Sequence, residues 1–225
     1  MLFINPLYLL LIIPALLGWF AQWRVQFIYY QYLKQPNKNY IDGSEVIKIF
    51  LTHYQLNLPI VVNKKKLVNY YNPQNKTLHF SNEILESASI TSMGIVAHEI
   101  AHVIQDKEGC KFMVLRNNLA KNLAILGQFT TILFFWGIIF RHLIFVYAAV
   151  LLLFGLTVFA ILSLPIEINA SKRGLHALNE LNIADEHDIK GVSLVLRHAA
   201  FTYFAGALQK IGTFLFIATM LLMFR

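Results

Sequence analysis

Four long apolar stretches constrain this chain more than any other feature. Leu2 to Phe20, about Leu123 to Phe140, Ile144 to Leu164, and about Phe204 to Phe224 contain one charged residue between them, Lys210. A bilayer core about 30 Å thick is crossed by roughly 20 apolar residues in a helix, and lipid offers backbone groups no partner except one another. Each stretch is therefore expected to be a transmembrane helix. Pro14 should bend the first, and Trp19 and Trp23 fall at its end, where interfacial aromatics gather. A cleaved signal peptide fits that stretch less well, since no Lys or Arg precedes it and no small-x-small site follows. Only Arg141-His142-Leu143 separates the second stretch from the third, so those two should form a tight helical hairpin. Lys210 lies in the first turns of the fourth and can snorkel towards the near surface.

The charge pattern then orients the chain. Lys and Arg crowd the segment from Arg24 to Lys121, and Lys172, Arg173, Lys190 and Arg197 mark the segment from Glu167 to Tyr203. The other side holds only Arg141 and Arg225. The positive-inside rule places both polar segments in the cytoplasm and both termini outside. The net charge of +7 fits an anionic membrane face, and Lys64-Lys65-Lys66 reads as a solvated turn near anionic lipid. Membrane lipid is thus an expected partner and nucleic acid is not. Cys110 is the only cysteine, which excludes an intrachain disulfide and a cysteine-based zinc site.

The expected organisation is an anchor at 1–24, an α+β region at 25–118 and a transmembrane hairpin at 119–165. A second polar, helical segment follows at 166–203, then a last span at 204–225. Within the α+β region, Ser44 is the expected N-cap of a helix through Ile47, Phe50, Leu51 and Tyr54. Pro59 to Val62 reads as a strand. Leu67 to Tyr71 and Thr77 to Phe80 flank the turn Asn72-Pro73-Gln74-Asn75 and read as a hairpin. A further helix is expected over Thr91 to Gln105.

That helix carries His98-Glu99-Ile100-Ala101-His102. Two histidines four apart share a helix face one turn apart, a spacing that lets both imidazoles reach one zinc ion. Glu99, offset by one position, is placed to reach an attacking water as a general base. Ile95, Val96, Ile100, Val103 and Ile104 should pack the other faces and hold the site rigid. A catalytic zinc takes three protein ligands and an open position. No third histidine follows at short spacing, which points to a carboxylate. Glu167, directly after the third span, is the expected third ligand, and Ser171, one turn on, can support a ligand through a hydrogen bond. Two spans separate Glu167 from the HExxH helix, so both lie on one side of the membrane.

These residues resemble the YugP-like membrane zinc metallopeptidases of bacteria, the neutral zinc metallopeptidase family. The likeness runs through Leu78-His79-Phe80-Ser81, the HExxH helix to Gln105, Leu164 to Arg173, and Val195 to Leu208. It implies that His98, His102 and Glu167 bind Zn2+ and that Glu99 is catalytic. It adds Arg197 and Tyr203 as candidates for stabilising the oxyanion. The chain departs from the family pattern at Ala101, at Asn69-Tyr70-Tyr71-Asn72 and at His198, and no catalytic role is assigned to His198. The expected molecule is a mainly α-helical integral membrane protein of a bacterial cytoplasmic membrane, with four spans and a small α+β zincin-like metallopeptidase insert. It would hydrolyse peptide bonds of membrane-associated proteins near the cytoplasmic face, with the 77–80 strand pairing with extended substrate. The rival expectation is an inactive membrane scaffold with a structural zinc, for which Glu99 has no task.

Overall fold

A computed structural model describes residues 6–65 and 67–223, without the side chains of residues 117, 118, 121, 122, 124 and 223. Leu2 at the start of the expected first span, Phe224 at the end of the fourth, Lys66 and Arg225 lie outside the described residues. The elements in chain order are α1 (Leu9–Leu33), α2 (Gly43–His53), β1 (Ile60–Asn63), β2 (Tyr70–Asn72), β3 (Thr77–Ser81) and α3 (Asn82–Leu85). They continue with α4 (Ile90–Lys107), α5 (Lys111–Ile139), α6 (Leu143–Glu180) and α7 (Glu186–Met223). The chain divides into two compact units.

The first unit comprises Met1–Gln22, Val114–Pro165 and Phe201–Arg225, and its described elements are helical. Among the described residues, three helices are long and apolar enough to cross a membrane: Pro6–Leu33, Leu143–Glu180 and Glu186–Leu222. The stretch expected as a second span lies on α5, whose apolar part, Ile125–Ile139, is shorter than the roughly 20 residues of a full crossing. Ile144, Leu151 and Trp19 are each about 70 % exposed, an exterior suited to lipid rather than water. Small residues let the helices approach one another. A Cβ at Gly137 would lie 2.4 Å from Val146, and one at Gly212 would lie 2.1 Å from the Leu10 carbonyl oxygen.

The second unit comprises Trp23–Met113 and Ile166–Ala200. Its sheet has the order β1-β3-β2, with β1 parallel to β3 (Ile60↔Leu78) and β2 antiparallel to it (Tyr71↔Leu78). The Asn-Pro-Gln-Asn turn closes the β2–β3 hairpin as the sequence suggests. The strand at 77–80 is nevertheless the central one, paired on both sides, so it cannot take an extended substrate along its edge. β1 and β2 are the outer strands. Alternation on β3 turns Leu78 and Phe80 into a core with Ile47 and Phe50 of α2 and Met93, Val96 and Ile100 of α4, all fully buried.

The cap of α2 also differs from expectation. Asp42 Oδ1 accepts the Glu45 N–H at 2.9 Å, while the Ser44 hydroxyl donates to the Leu85 carbonyl at 3.1 Å. The cap therefore falls two residues earlier than Ser44, and the helix begins at Gly43, where a Cβ would clash with the Ile84 carbonyl oxygen. Ser89 caps α4 by accepting the Ser92 N–H at 3.1 Å. Neither α6 nor α7 breaks where the sequence turns from apolar to polar. Pro165 lies inside α6, which runs on to Glu180, and α7 is continuous from Glu186. A proline in a helix interior costs one hydrogen bond but need not end the helix where packing holds both sides.

Candidate metal centre

The HExxH segment occupies the middle of α4. His98 and His102 stand one turn apart with ring centroids 4.7 Å apart and planes at 84°. Glu167 reaches them from α6, where it is 2 % exposed. Its Oε2 lies 3.2 Å from His98 Nε2 and 3.6 Å from His102 Nε2. Close contact between α4 and α6 makes this possible. A Cβ at Gly174 would lie 3.0 Å from the Ala97 carbonyl carbon and oxygen, immediately before His98.

The hydrogen bonds behind the two rings fix their protons. Ser171 Oγ donates to the Glu167 carbonyl at 2.9 Å, so at 3.3 Å from His98 Nδ1 it is the acceptor of that ring's N–H. Gln105, 1 % exposed, spends its amide hydrogens on the Ile166 carbonyl (3.2 Å) and on Asn169 Oδ1 (2.9 Å). Its Oε1 therefore accepts from His102 Nδ1 at 2.9 Å. The Arg173 Nε–H donates to the same Asn169 oxygen at 2.8 Å, and Arg173 is paired with Glu108 at 2.7 Å. Both imidazoles thus carry hydrogen on Nδ1 and turn a bare Nε2 lone pair towards the Glu167 carboxylate.

Three acceptor atoms facing one another repel unless a cation stands between them. These three donor atoms lie within 4.8 Å of one another. Bonds of about 2.0–2.1 Å in tetrahedral geometry put ligand atoms roughly 3.3 Å apart. The distances of 3.2 and 3.6 Å bracket that edge. A His-His-Glu set with neutral imidazoles and a carboxylate is also the donor chemistry zinc takes. The residues therefore fit the ion. Local electrostatics agree. Burial alone would lower the His102 pKa, yet the neighbouring Glu167 and Glu99 carboxylates raise it, the mark of a site that draws positive charge.

Glu99 lies beside this trio and is 8 % exposed. Its Oε2 accepts the backbone N–H of Tyr71, on the edge strand β2, at 2.9 Å. Tyr71 is itself anchored to α4, its hydroxyl donating to Asp106 at 2.6 Å. Burial pushes the Glu99 carboxyl up, and the neighbouring His98 and His102 pull against that shift.

Of the other candidates, Ser171 sits behind His98 as expected. Arg197 is exposed on α7, and Tyr203 belongs to the helical unit, where it is 42 % exposed. Gln105, Asn169 and Tyr71 are members of the site that sequence reasoning did not single out. The available signal was spacing: Gln105 follows His102 by three, on the same side of the helix, and Asn169 follows Glu167 by two. Asp185, His187 and Asp188 form another cluster of metal-capable groups. Its carboxylates are engaged by backbone N–H groups, Asp188 Oδ2 by Lys38 N from the α1–α2 connection at 3.1 Å and Asp185 Oδ1 by Asp188 N at 2.8 Å.

The sequence pattern of the family described as "Putative neutral zinc metallopeptidase" matches residues 7–223. The chain is also similar to the "Putative membrane protease YugP" of Bacillus subtilis (strain 168). The two are 26 % identical over 207 residues, which cover 91 % of this chain and 92 % of that protein. No solved structure matches it.

Proposed function

The chain belongs to the neutral zinc metallopeptidase family, and from that premise we propose that it is a membrane-embedded, zinc-dependent endopeptidase. The observation that carries the reading is the placement of Glu99: a buried carboxylate beside the His98, His102 and Glu167 donor atoms, held by a backbone N–H from the edge of a sheet. A purely structural metal would have no use for it.

His98, His102 and Glu167 would hold the ion through Nε2, Nε2 and Oε2. Zinc, when bound, supplies Lewis acidity towards a peptide carbonyl and lowers the pKa of water. Glu99 acts as the base. Tyr71 fixes its Oε2, which leaves Oε1 to take a proton from the attacking water. The same carboxyl then delivers the proton to the departing amine nitrogen as the C–N bond breaks. Gln105 and Ser171 keep the two Nε2 lone pairs free throughout. β3, paired on both sides, offers a substrate backbone no edge, and β2 serves the site through the Tyr71 N–H that holds Glu99.

The membrane setting follows from the apolar helices and the charge pattern. Four spans, namely α1, α5, α6 and α7, put both polar segments in the cytoplasm and both termini outside. The organisation is then an anchor (1–24), a catalytic region (25–118), a hairpin (119–165), a segment bearing the third ligand (166–203) and a final span. Glu167 follows the third apolar run by three residues, so the natural substrates are membrane-associated proteins cut near the cytoplasmic face. Replacing Glu99 by Gln should leave zinc content near one ion per chain and reduce peptide hydrolysis by about 10²-fold or more. Hydrolysis at the wild-type rate in that variant would rule the mechanism out.

A further inference from the structure

The helical unit contains a cavity of about 760 Å³ near the α5–α6 turn. Phe134 and Ile138 of α5, Val146 of α6, and Phe216 and Ile217 of α7 are among the residues that line it, and Arg141 stands in its wall as the one charged group. The volume falls within the roughly 300–1,000 Å³ of small-molecule sites. Arg141 is unusual in two respects. It is the only charged residue between Lys121 and Glu167, so the hairpin offers it no carboxylate. It also holds the left-handed turn, at φ 55°, a conformation that glycine or asparagine adopts at lower cost. A guanidinium kept at such a place is there for its side chain.

We propose that this cavity binds one glycerophospholipid, with the phosphate on Arg141 and part of an acyl chain between α5, α6 and α7. Guanidinium matches phosphate in a planar, two-pronged hydrogen-bond geometry and is less costly to desolvate than an ammonium. Phe134 lies about 8 Å down the α5 axis from its end at Ile139, at 1.5 Å per residue, so the apolar wall continues well below the charge. That order, cation at the turn and apolar wall beneath it, matches an anionic headgroup above hydrocarbon. A free anion has no use for the apolar walls, and a neutral lipid has no use for the arginine. The site does not depend on the peptidase reading.

The test uses the full chain, purified in detergent, stripped of lipid and titrated with dioleoylphosphatidylglycerol under native mass spectrometry. Dioleoylglycerol and inorganic phosphate serve as parallel ligands. One phosphatidylglycerol should bind per chain, dioleoylglycerol about tenfold more weakly, and phosphate should not compete. Arg141→Gln should weaken lipid binding by about the same factor, and Ile217→Trp, which fills the cavity, should abolish it. Equal binding of dioleoylglycerol and phosphatidylglycerol overturns the proposal, as does undiminished binding in both variants. The comparison of the two lipids on the wild type needs no variant to fold.

Discussion

An imidazole has two nitrogens, and the one facing away from the metal decides what the other can do. In this site the away-facing nitrogens are settled by neutral groups, Ser171 for His98 and Gln105 for His102. Gln105 carries the greater burden, since its amide also ties α4 to α6 through Ile166 and Asn169. Gln105→Leu keeps the volume, strands the His102 Nδ1–H and releases that tie. Zinc affinity should fall by 10–100-fold, roughly, read by competition with a chelating dye. Gln105→Glu can still accept from Nδ1 but cannot donate to the Ile166 carbonyl, so it should fall between. Wild-type affinity in Gln105→Leu would mean that the His102 tautomer is set elsewhere. Glu167→Ala removes the proposed third ligand, and purified protein should then hold well under one zinc per chain. At this scale the motif was legible because its chemistry is local: an i, i+4 pair and a neighbouring carboxylate need only a helix. Gln105, Asn169 and the Tyr71 N–H were not legible, because each acquires its role from a contact that chain distance hides.

The site depends on how two helices meet, and Gly174 sets that distance. The atoms a side chain there would strike belong to the Ala97 backbone and cannot rotate away. Gly174→Val should push α6 off α4 beside His98, destabilise the protein by about 1–3 kcal/mol and weaken zinc binding at the same time. A melting temperature and a zinc titration on one sample check both. A loss of stability with zinc affinity intact would show that the interface supports the fold but not the ligand geometry. The elements themselves were largely readable. Asn-Pro-Gln-Asn announced a hairpin, and the apolar spacing of α2 and α4 announced helices. The order of the strands was not readable, because β1 pairs in parallel with β3 across the chain, with no turn joining the two to announce it. Pro165 does not end α6, and the division between the two compact units falls directly after it.

For the whole molecule, the number of membrane crossings turns on α5. Its described apolar stretch is short, with Lys121 and Asn122 just before it. Connectivity supplies what hydropathy does not. Residues 23–113 and 166–200 form one compact unit, so they lie on one side of any membrane, and the segment 114–165 between them must cross an even number of times. The apolar run of α6, with a mean hydropathy of 2.7, is far too apolar to remain in water. If α6 crosses, α5 must cross with it, and the Arg141-His142 turn emerges on the side opposite the HExxH helix. The single cysteine makes this easy to examine. With Cys110 replaced by Ser, a cysteine at His142 should react with a membrane-impermeant maleimide on intact cells, and one at Lys64 only after the cells are opened. Labelling of both positions from the outside would reverse the orientation drawn from the lysines and arginines. Protection of His142 in intact cells together with reaction in opened ones would make the hairpin re-entrant, and the chain would then have two full crossings rather than four.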